Sequence, residues 1–170
     1  MSWYDNFLGI LKDNEVRLVS YVPDNVITPL LKGVTSDNYF LSVGATREDE
    51  AVGIVTGAWM GGVRGAVMMQ TSGFAVIPNV LASLVVPSNV PAVLVVSERG
   101  ALGEFNIGQV LVSRTMRPTL DAIAVTHHTL DDINTMNFVI DRALKQAFAT
   151  LSPVVFILSP KLTGGKVFKA

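Results

Sequence analysis

Four polar stretches, each directly after an apolar run, hold the residues that could do chemistry. They are 23–25, 47–48, 70–73 and 97–109. If the apolar runs are parallel strands, all four stretches leave the sheet at one edge, which is where open α/β sheets bind their ligands. Each stretch alone is also typical of an ordinary turn or helix cap. The prediction of a site therefore rests on the four occurring together.

Glu48 is the candidate for acid–base chemistry. Together with Asp49 and Glu50 it falls in the predicted first turn of a helix after Thr46. Acids in that position also simply complement the positive end of the helix dipole. Glu50 is the rival candidate, and because side chains two residues apart point about 200° away from each other on a helix, only one of the two can face a ligand.

The composition favours one globular domain over residues 1–170 and excludes several classes of function. The chain is 49% apolar and 16% charged, which predicts a sizeable core and a surface partly covered by a partner. A net charge of −1 gives no support for a nucleic acid or a membrane as partner. No cysteine is present, so disulfides and thiolate chemistry are excluded. Without a signal-peptide or membrane-span pattern, we expect a cytoplasmic protein.

Several common motifs are missing. The sequence has no GxxxxGK[ST] phosphate loop, no GxGxxG after the first strand, no GxSxG elbow and no His/Asp/Glu cluster at metal-ligand spacing. We therefore predict no metal bound by this chain's own residues. His127 and His128 precede a helix predicted over 131–150, and an ordinary structural role is predicted for the pair.

The elements that position these residues follow from six apolar runs that alternate with helical patterns. The predicted strands are 16–22, 39–43, 66–69, 92–96, 120–125 and 154–158, and the predicted helices are 2–13, 26–32, 47–60, 75–86, 107–116 and 131–150. The strands are apolar throughout, without alternation, which indicates a parallel sheet covered on both faces. The predicted fold is a three-layer α/β/α structure with a six-stranded parallel sheet.

The same residues resemble the pyrimidine-binding domain of thiamine diphosphate enzymes. In this pattern a glutamate, here Glu48, opens the helix after the second strand, and Gly57 and Trp59 follow nine and eleven residues later. Within these enzymes, the chain resembles the α subunit of sulfopyruvate decarboxylase and the N-terminal half of phosphonopyruvate decarboxylase more closely, over about residues 18–160. The similar stretches are 22–25, 47–53, 69–73, 79–84 and 97–109. One departure is 74–76, Phe-Ala-Val, where such proteins usually have Gly-Asn.

The resemblance implies a role for each candidate residue. Glu48, selected over Glu50 by its spacing to Gly57, would hydrogen-bond the pyrimidine ring and favour the imino tautomer that activates the cofactor for decarboxylation of a 2-oxo acid. The implied cofactor-binding residues are Val22, Pro23, Glu48, Gln70, Thr71, Ser72 and Gly73. The implied substrate-binding residues are Asn25, Arg47, Asn79, Arg99 and Gln109, with Arg114 and Arg117 as further candidate counter-ions. The 97–109 loop would close over the substrate.

The resemblance also implies a partner. The Gly-Asp-Gly…Asn motif that binds the diphosphate through Mg²⁺ is absent, so a β subunit would hold both, in a hetero-oligomer that contains an α dimer. Sulfopyruvate is the expected anionic substrate, followed by phosphonopyruvate or another 2-oxo acid. Two alternatives stay open: a non-catalytic regulatory subunit of the same fold, and a stand-alone small-molecule binder.

Overall fold

The structure, a computed structural model, describes residues 2–166. Its strands form one sheet in the order β2-β1-β3-β4-β6-β5, and every neighbouring pair is parallel. The strands are β1 Val16–Tyr21, β2 Leu41–Gly44, β3 Arg64–Gln70, β4 Val93–Ser97, β5 Thr126–Leu130 and β6 Val154–Leu158. The helices are α1 Trp3–Asp13, α2 Thr28–Ser36, α3 Glu48–Met60, α4 Thr71–Phe74, α5 Pro78–Val80, α6 Ile107–Ala122, α7 Ile133–Thr150 and α8 Pro160–Thr163, with a π-helical turn over Leu81–Val85.

Helices cover both faces of the sheet, which confirms the predicted three-layer α/β/α fold. One core lies between the sheet and α1, α2 and α7, and it includes Phe7 and Phe156. The other lies between the sheet and α3, the π-helical turn and α6, and it includes Val55 and Ile157. Strands β4 and β6 are buried along their whole length, which explains why their sequences are apolar throughout. Within residues 2–166, no helix combines the length and the apolar character that crossing a membrane requires.

The predicted strand over 120–125 is wrong. Helix α6 continues through Ala122, and the chain turns at Ala124, which has a φ of 53°. The strand is β5, which begins at Thr126 and lies at the edge of the sheet with four of its five residues partly or fully exposed. An edge strand needs no continuous apolar run, so the sequence pattern concealed it. His127 and His128 lie on this strand and not at the start of the following helix.

The predicted helix over 75–86 is also wrong as a single element. It is divided into α4, which begins earlier at Thr71, the short α5 and the π-helical turn. Pro78 is the first residue of α5, where proline is tolerated because its missing N–H has no partner in the helix. The break places α4 directly against the end of β3.

The register of the sheet brings the carboxyl ends of its central strands together. Tyr21 of β1 pairs with Met68 of β3, while Gln70 pairs with Ser97 of β4. The segments that follow β1, β2, β3 and β4 therefore leave the sheet at the same edge, as the sequence predicts.

Candidate functional site

The carboxylate of Glu48, the first residue of α3, lies against Gly73 of α4. A Cβ atom built on Gly73 would be 2.1 Å from Glu48 Oε1, so a glycine is required for this approach. Glu48 is half-buried. Within residues 2–166 its carboxylate accepts no hydrogen bond and forms no ion pair. It is therefore available to a ligand.

The other acids of this first turn are engaged locally. Asp49 receives two hydrogen bonds from the exposed guanidinium of Arg47, at 3.1 and 3.2 Å, and this pairing lowers the pKa of Asp49. Glu50 Oε2 accepts a hydrogen bond of 2.8 Å from the backbone N–H of Thr46 and so satisfies a donor at the helix start. The geometry thus favours Glu48 over Glu50 as the carboxylate that meets a ligand.

A cavity of about 520 Å³ opens at the same edge of the sheet. Binding sites for small molecules commonly have volumes of about 300–1,000 Å³. Five of the predicted site residues line it: Pro23, Asn25, Gln70, Arg99 and Gln109. The cavity lies between the segment after β1, the end of β3, helix α2 and the loop that precedes α6.

The segment 70–73 connects this cavity to Glu48. Gln70 lines the cavity, whereas Gly73, three residues later, contacts Glu48. Between them, the buried hydroxyl of Thr71 donates to the carbonyl of Ser97 at 3.0 Å and accepts from the N–H of Arg99 at 2.9 Å. Thr71 therefore fixes the ends of β3 and β4 to each other.

The remaining predicted residues lie outside the cavity lining. Val22 donates its N–H to the carbonyl of Met68. Arg47 is exposed and paired, as described above, and Asn79 is exposed on α5. Ser72 is half-buried on α4, between Thr71 and Gly73.

The loop between β4 and α6, residues 98–106, is folded around the carboxylate of Glu104. Both of its oxygens accept from the guanidinium of Arg99, at 2.7 and 2.8 Å, and they also accept from the N–H groups of Gly100 and Asn106 at 2.9 Å. The Arg99 guanidinium is the main reason that the pKa of Glu104 falls to about 2. The charge of Arg99 is therefore largely neutralised within the protein.

Two buried carbonyl oxygens at the cavity have no hydrogen-bond partner within residues 2–166. They belong to the side chains of Gln70 and Gln109. A buried polar atom without a partner costs about 1–3 kcal/mol. A ligand or water that donates hydrogen bonds would relieve this cost.

Comparison with known proteins identifies the family. No family model matches the chain. The chain is 35% identical over 115 residues to the α subunit of sulfopyruvate decarboxylase from Methanocaldococcus jannaschii, with 68% of each chain covered. The chain belongs to the family of sulfopyruvate decarboxylase α subunits.

Further matches agree with membership of the sulfopyruvate decarboxylase α-subunit family. The α subunit from Methanothermobacter thermautotrophicus is 34% identical over 119 residues, which cover 70% of this chain and 72% of that one. Phosphonopyruvate decarboxylase from Streptomyces viridochromogenes is 39% identical over 89 residues, 52% of this chain and 22% of that one. A solved structure of 2-oxoglutarate:ferredoxin oxidoreductase from Magnetococcus marinus superimposes with a TM-score of 0.71 at 14% identity, over 96% of this chain and 29% of that one. This last likeness shows the fold alone.

Sequence reasoning missed the contribution of α2 to this α-subunit cavity. Thr28, Lys32 and Thr35 all line it. Their spacing of four and three residues places them on one helical face, which was a usable signal. The predicted helix ended near Gly33, however, and its sequence does not show which side faces a ligand.

Proposed function

We propose that this chain is the α subunit of a two-chain, thiamine diphosphate-dependent sulfopyruvate decarboxylase. The reaction converts sulfopyruvate to sulfoacetaldehyde and carbon dioxide. The observation that carries the proposal is the unpaired carboxylate of Glu48 beside Gly73, in a chain of this family. Phosphonopyruvate is the second candidate substrate, because phosphonopyruvate decarboxylase matches over 89 residues.

The residues present fit the pyrimidine ring of thiamine diphosphate. Glu48 offers a carboxylate without a protein partner, and Gly73 leaves the space beside it free of a side chain. When bound, the cofactor supplies a carbon nucleophile and an electron sink for decarboxylation. Glu48 would hold a proton at a ring nitrogen of the bound cofactor.

The diphosphate and Mg²⁺ are assigned to a partner β subunit. This assignment rests on the sequence, which lacks the Gly-Asp-Gly…Asn motif. The site is then completed at the subunit boundary, in a hetero-oligomer that contains an α dimer. On this side of the boundary, Asn25 and Gln109 line the cavity and can hydrogen-bond an anionic 2-oxo acid.

The test is carbon dioxide release by the α and β chains purified together, with thiamine diphosphate and Mg²⁺. Glu48→Gln should lower kcat by about 100-fold or more, because catalysis that depends on a positioned proton-transfer group is typically worth about 10²–10⁴-fold. The matched control is Glu50→Gln, two residues away. A glutamine there can still accept the hydrogen bond from Thr46, so this variant should keep near-wild-type activity.

Three results would contradict the proposal. Equal activity of wild type and Glu48→Gln would remove Glu48 from the mechanism. Full activity of the β chain alone would support a regulatory subunit. No release from sulfopyruvate, phosphonopyruvate or pyruvate would reject a decarboxylase.

A further inference from the structure

Of the three cationic side chains that line the cavity, Lys32 is the one with a free charged group among residues 2–166. The guanidinium of Arg99 is held by both oxygens of Glu104. The ammonium of Lys166 lies 5.9 Å from the ring centroid of Phe105. The ammonium of Lys32, in contrast, makes no hydrogen bond, ion pair or cation–π contact within the described range.

Asp24 is the acid whose charge could pair with Lys32 inside the cavity, but its carboxylate is already hydrogen-bonded. It also lines the cavity. Its Oδ2 accepts from the backbone N–H groups of Val26 and Ile27 and from the hydroxyl of Ser97, at 2.9, 3.4 and 2.9 Å. The charge of Asp24 is therefore stabilised by three donors, and the cavity wall formed by α2 keeps an unpaired positive charge.

Helix α2 fixes the backbone position of Lys32, whose side chain is exposed. Leu30, Leu31 and Val34 anchor the helix in the core. Thr28 and Thr35 flank Lys32 on the cavity side, but their hydroxyl groups already donate to backbone carbonyls, at 3.1 Å to Asp24 and 3.0 Å to Leu31. Lys32 is thus the residue of this face that has hydrogen-bond donors to spare.

We propose that Lys32 binds the sulfonate group of the substrate and so sets the preference for a 2-oxo acid with a second anionic end. The inference rests on the proposed function. A sulfonate presents three equivalent oxygens around one sulfur, and an ammonium group with three donors suits such a target as a compact point charge. The 2-oxo acid end then lies toward Gln70, which precedes by three residues the Gly73 that contacts the Glu48 carboxylate.

The test compares Lys32→Met with wild type in the complete α–β holoenzyme. Methionine keeps an unbranched side chain of similar length and removes the charge. We expect KM for sulfopyruvate to rise at least tenfold while kcat changes less than threefold. The dissociation constant of 3-sulfopropanoate, which has both anionic ends but no keto group, should rise by a similar factor in calorimetry.

Two further variants control for the charge and for the position of the substitution. Lys32→Arg keeps the positive charge and should recover most of the affinity. Lys145→Met makes the same change at an exposed lysine of α7, away from the cavity, and should behave as wild type. Copurification with the β chain establishes that each variant assembles.

The outcomes separate this inference from the proposed function. Unchanged KM and unchanged 3-sulfopropanoate binding in Lys32→Met, with an active wild type, would overturn the role of Lys32 alone. A fall in kcat with unchanged KM would also overturn it. An inactive wild-type complex would reject the proposed decarboxylase. In that case, weaker binding of 3-sulfopropanoate by Lys32→Met than by wild type would still support the anion site.

Discussion

Gly73 is the residue on which the position of Glu48 depends. Because a Cβ atom there would overlap the Glu48 carboxylate, Gly73→Ala should displace that carboxylate. We expect kcat of the α–β complex to fall by about tenfold or more, since small misplacements of catalytic groups are costly. Steady-state kinetics at saturating cofactor measures this effect.

The matched control is Gly9→Ala. Gly9 lies inside α1, where an added Cβ meets nothing within 4 Å. Alanine is favoured over glycine in a helix interior by about 1 kcal/mol, so this variant should be slightly more stable and fully active. Full activity of Gly73→Ala would show that Glu48 can move without consequence.

Single residues were predictable where their environment is formed by residues near them in sequence. The choice of Glu48 rests on its place after a strand and its spacing to Gly57, and its role stays a prediction. Its distinction from Glu50 is also local, because Glu50 bonds the backbone of Thr46. The pairing of Arg99 with Glu104, five residues away, and the freedom of Lys32 depend on how a loop and a helix are folded, which residue types alone do not determine.

The conformation of the loop 98–106 is stabilised by hydrogen bonds to the buried, charged carboxylate of Glu104. Glu104→Gln removes that charge and leaves buried Arg99 without its ionic partner, which should cost about 3 kcal/mol of unfolding free energy at pH 7. The pKa of Glu104 is about 2 in the folded protein, below its ordinary value of 4.5. The stabilisation is therefore complete above pH 4.5 and is lost as the pH falls from 4.5 toward 2.

Urea unfolding of wild type and Glu104→Gln across this pH range measures the effect. The difference between the two proteins should shrink below pH 4.5. Glu15→Gln is the control, because Glu15 forms an exposed pair with Arg64 at 3.3 Å and its loss should cost less than about 1 kcal/mol. Curves for wild type and Glu104→Gln that stay parallel down to pH 2 would contradict a buried, ionised Glu104.

At the scale of elements, buried strands were predictable and edge or interrupted elements were not. The interval 154–158 is found unchanged as β6, because both of its faces are covered and its sequence is wholly apolar. Strand β5 was placed too early, since Thr126 and Thr129 are exposed at the sheet edge. The π-helical turn Leu81–Val85 has the same apolar spacing as an α-helix over so short a stretch, and periodicity cannot separate the two.

At the scale of the whole molecule, an exposed apolar surface extends from the loop into α6. Leu102, Ile107 and Leu111 are 71%, 88% and 69% exposed. Large exposed apolar side chains grouped in this way are typical of a surface that another protein covers. This surface adjoins the cavity through Phe105 and Asn106, and we expect the proposed β subunit to contact it.

The Tm of the α chain should report whether the β chain binds this surface. Adding the β chain should raise Tm, and further at higher concentration, because a partner that binds only the folded state stabilises it. The double variant Ile107→Ser, Leu111→Ser should reduce this increase. Phe138→Ser, which alters an equally exposed side chain on α7, is the control and should not. Undiminished stabilisation of the double variant would place the β subunit elsewhere.

That residues 1–170 form one domain stays a prediction.

The strand order has a consequence for the order in which the protein can form. Of the six strands that the structure describes, β6 is synthesised last, yet it lies between β4 and β5 in the sheet. Strand β5 therefore has no neighbour to bond with until residue 158 has left the ribosome. Until then, one edge of β4 stays unpaired and His128 lacks the Phe156 ring on which it stacks, in a state open to misassembly. Completion of the six-stranded sheet thus waits for β6, although the site residues up to Gln109 have been made long before.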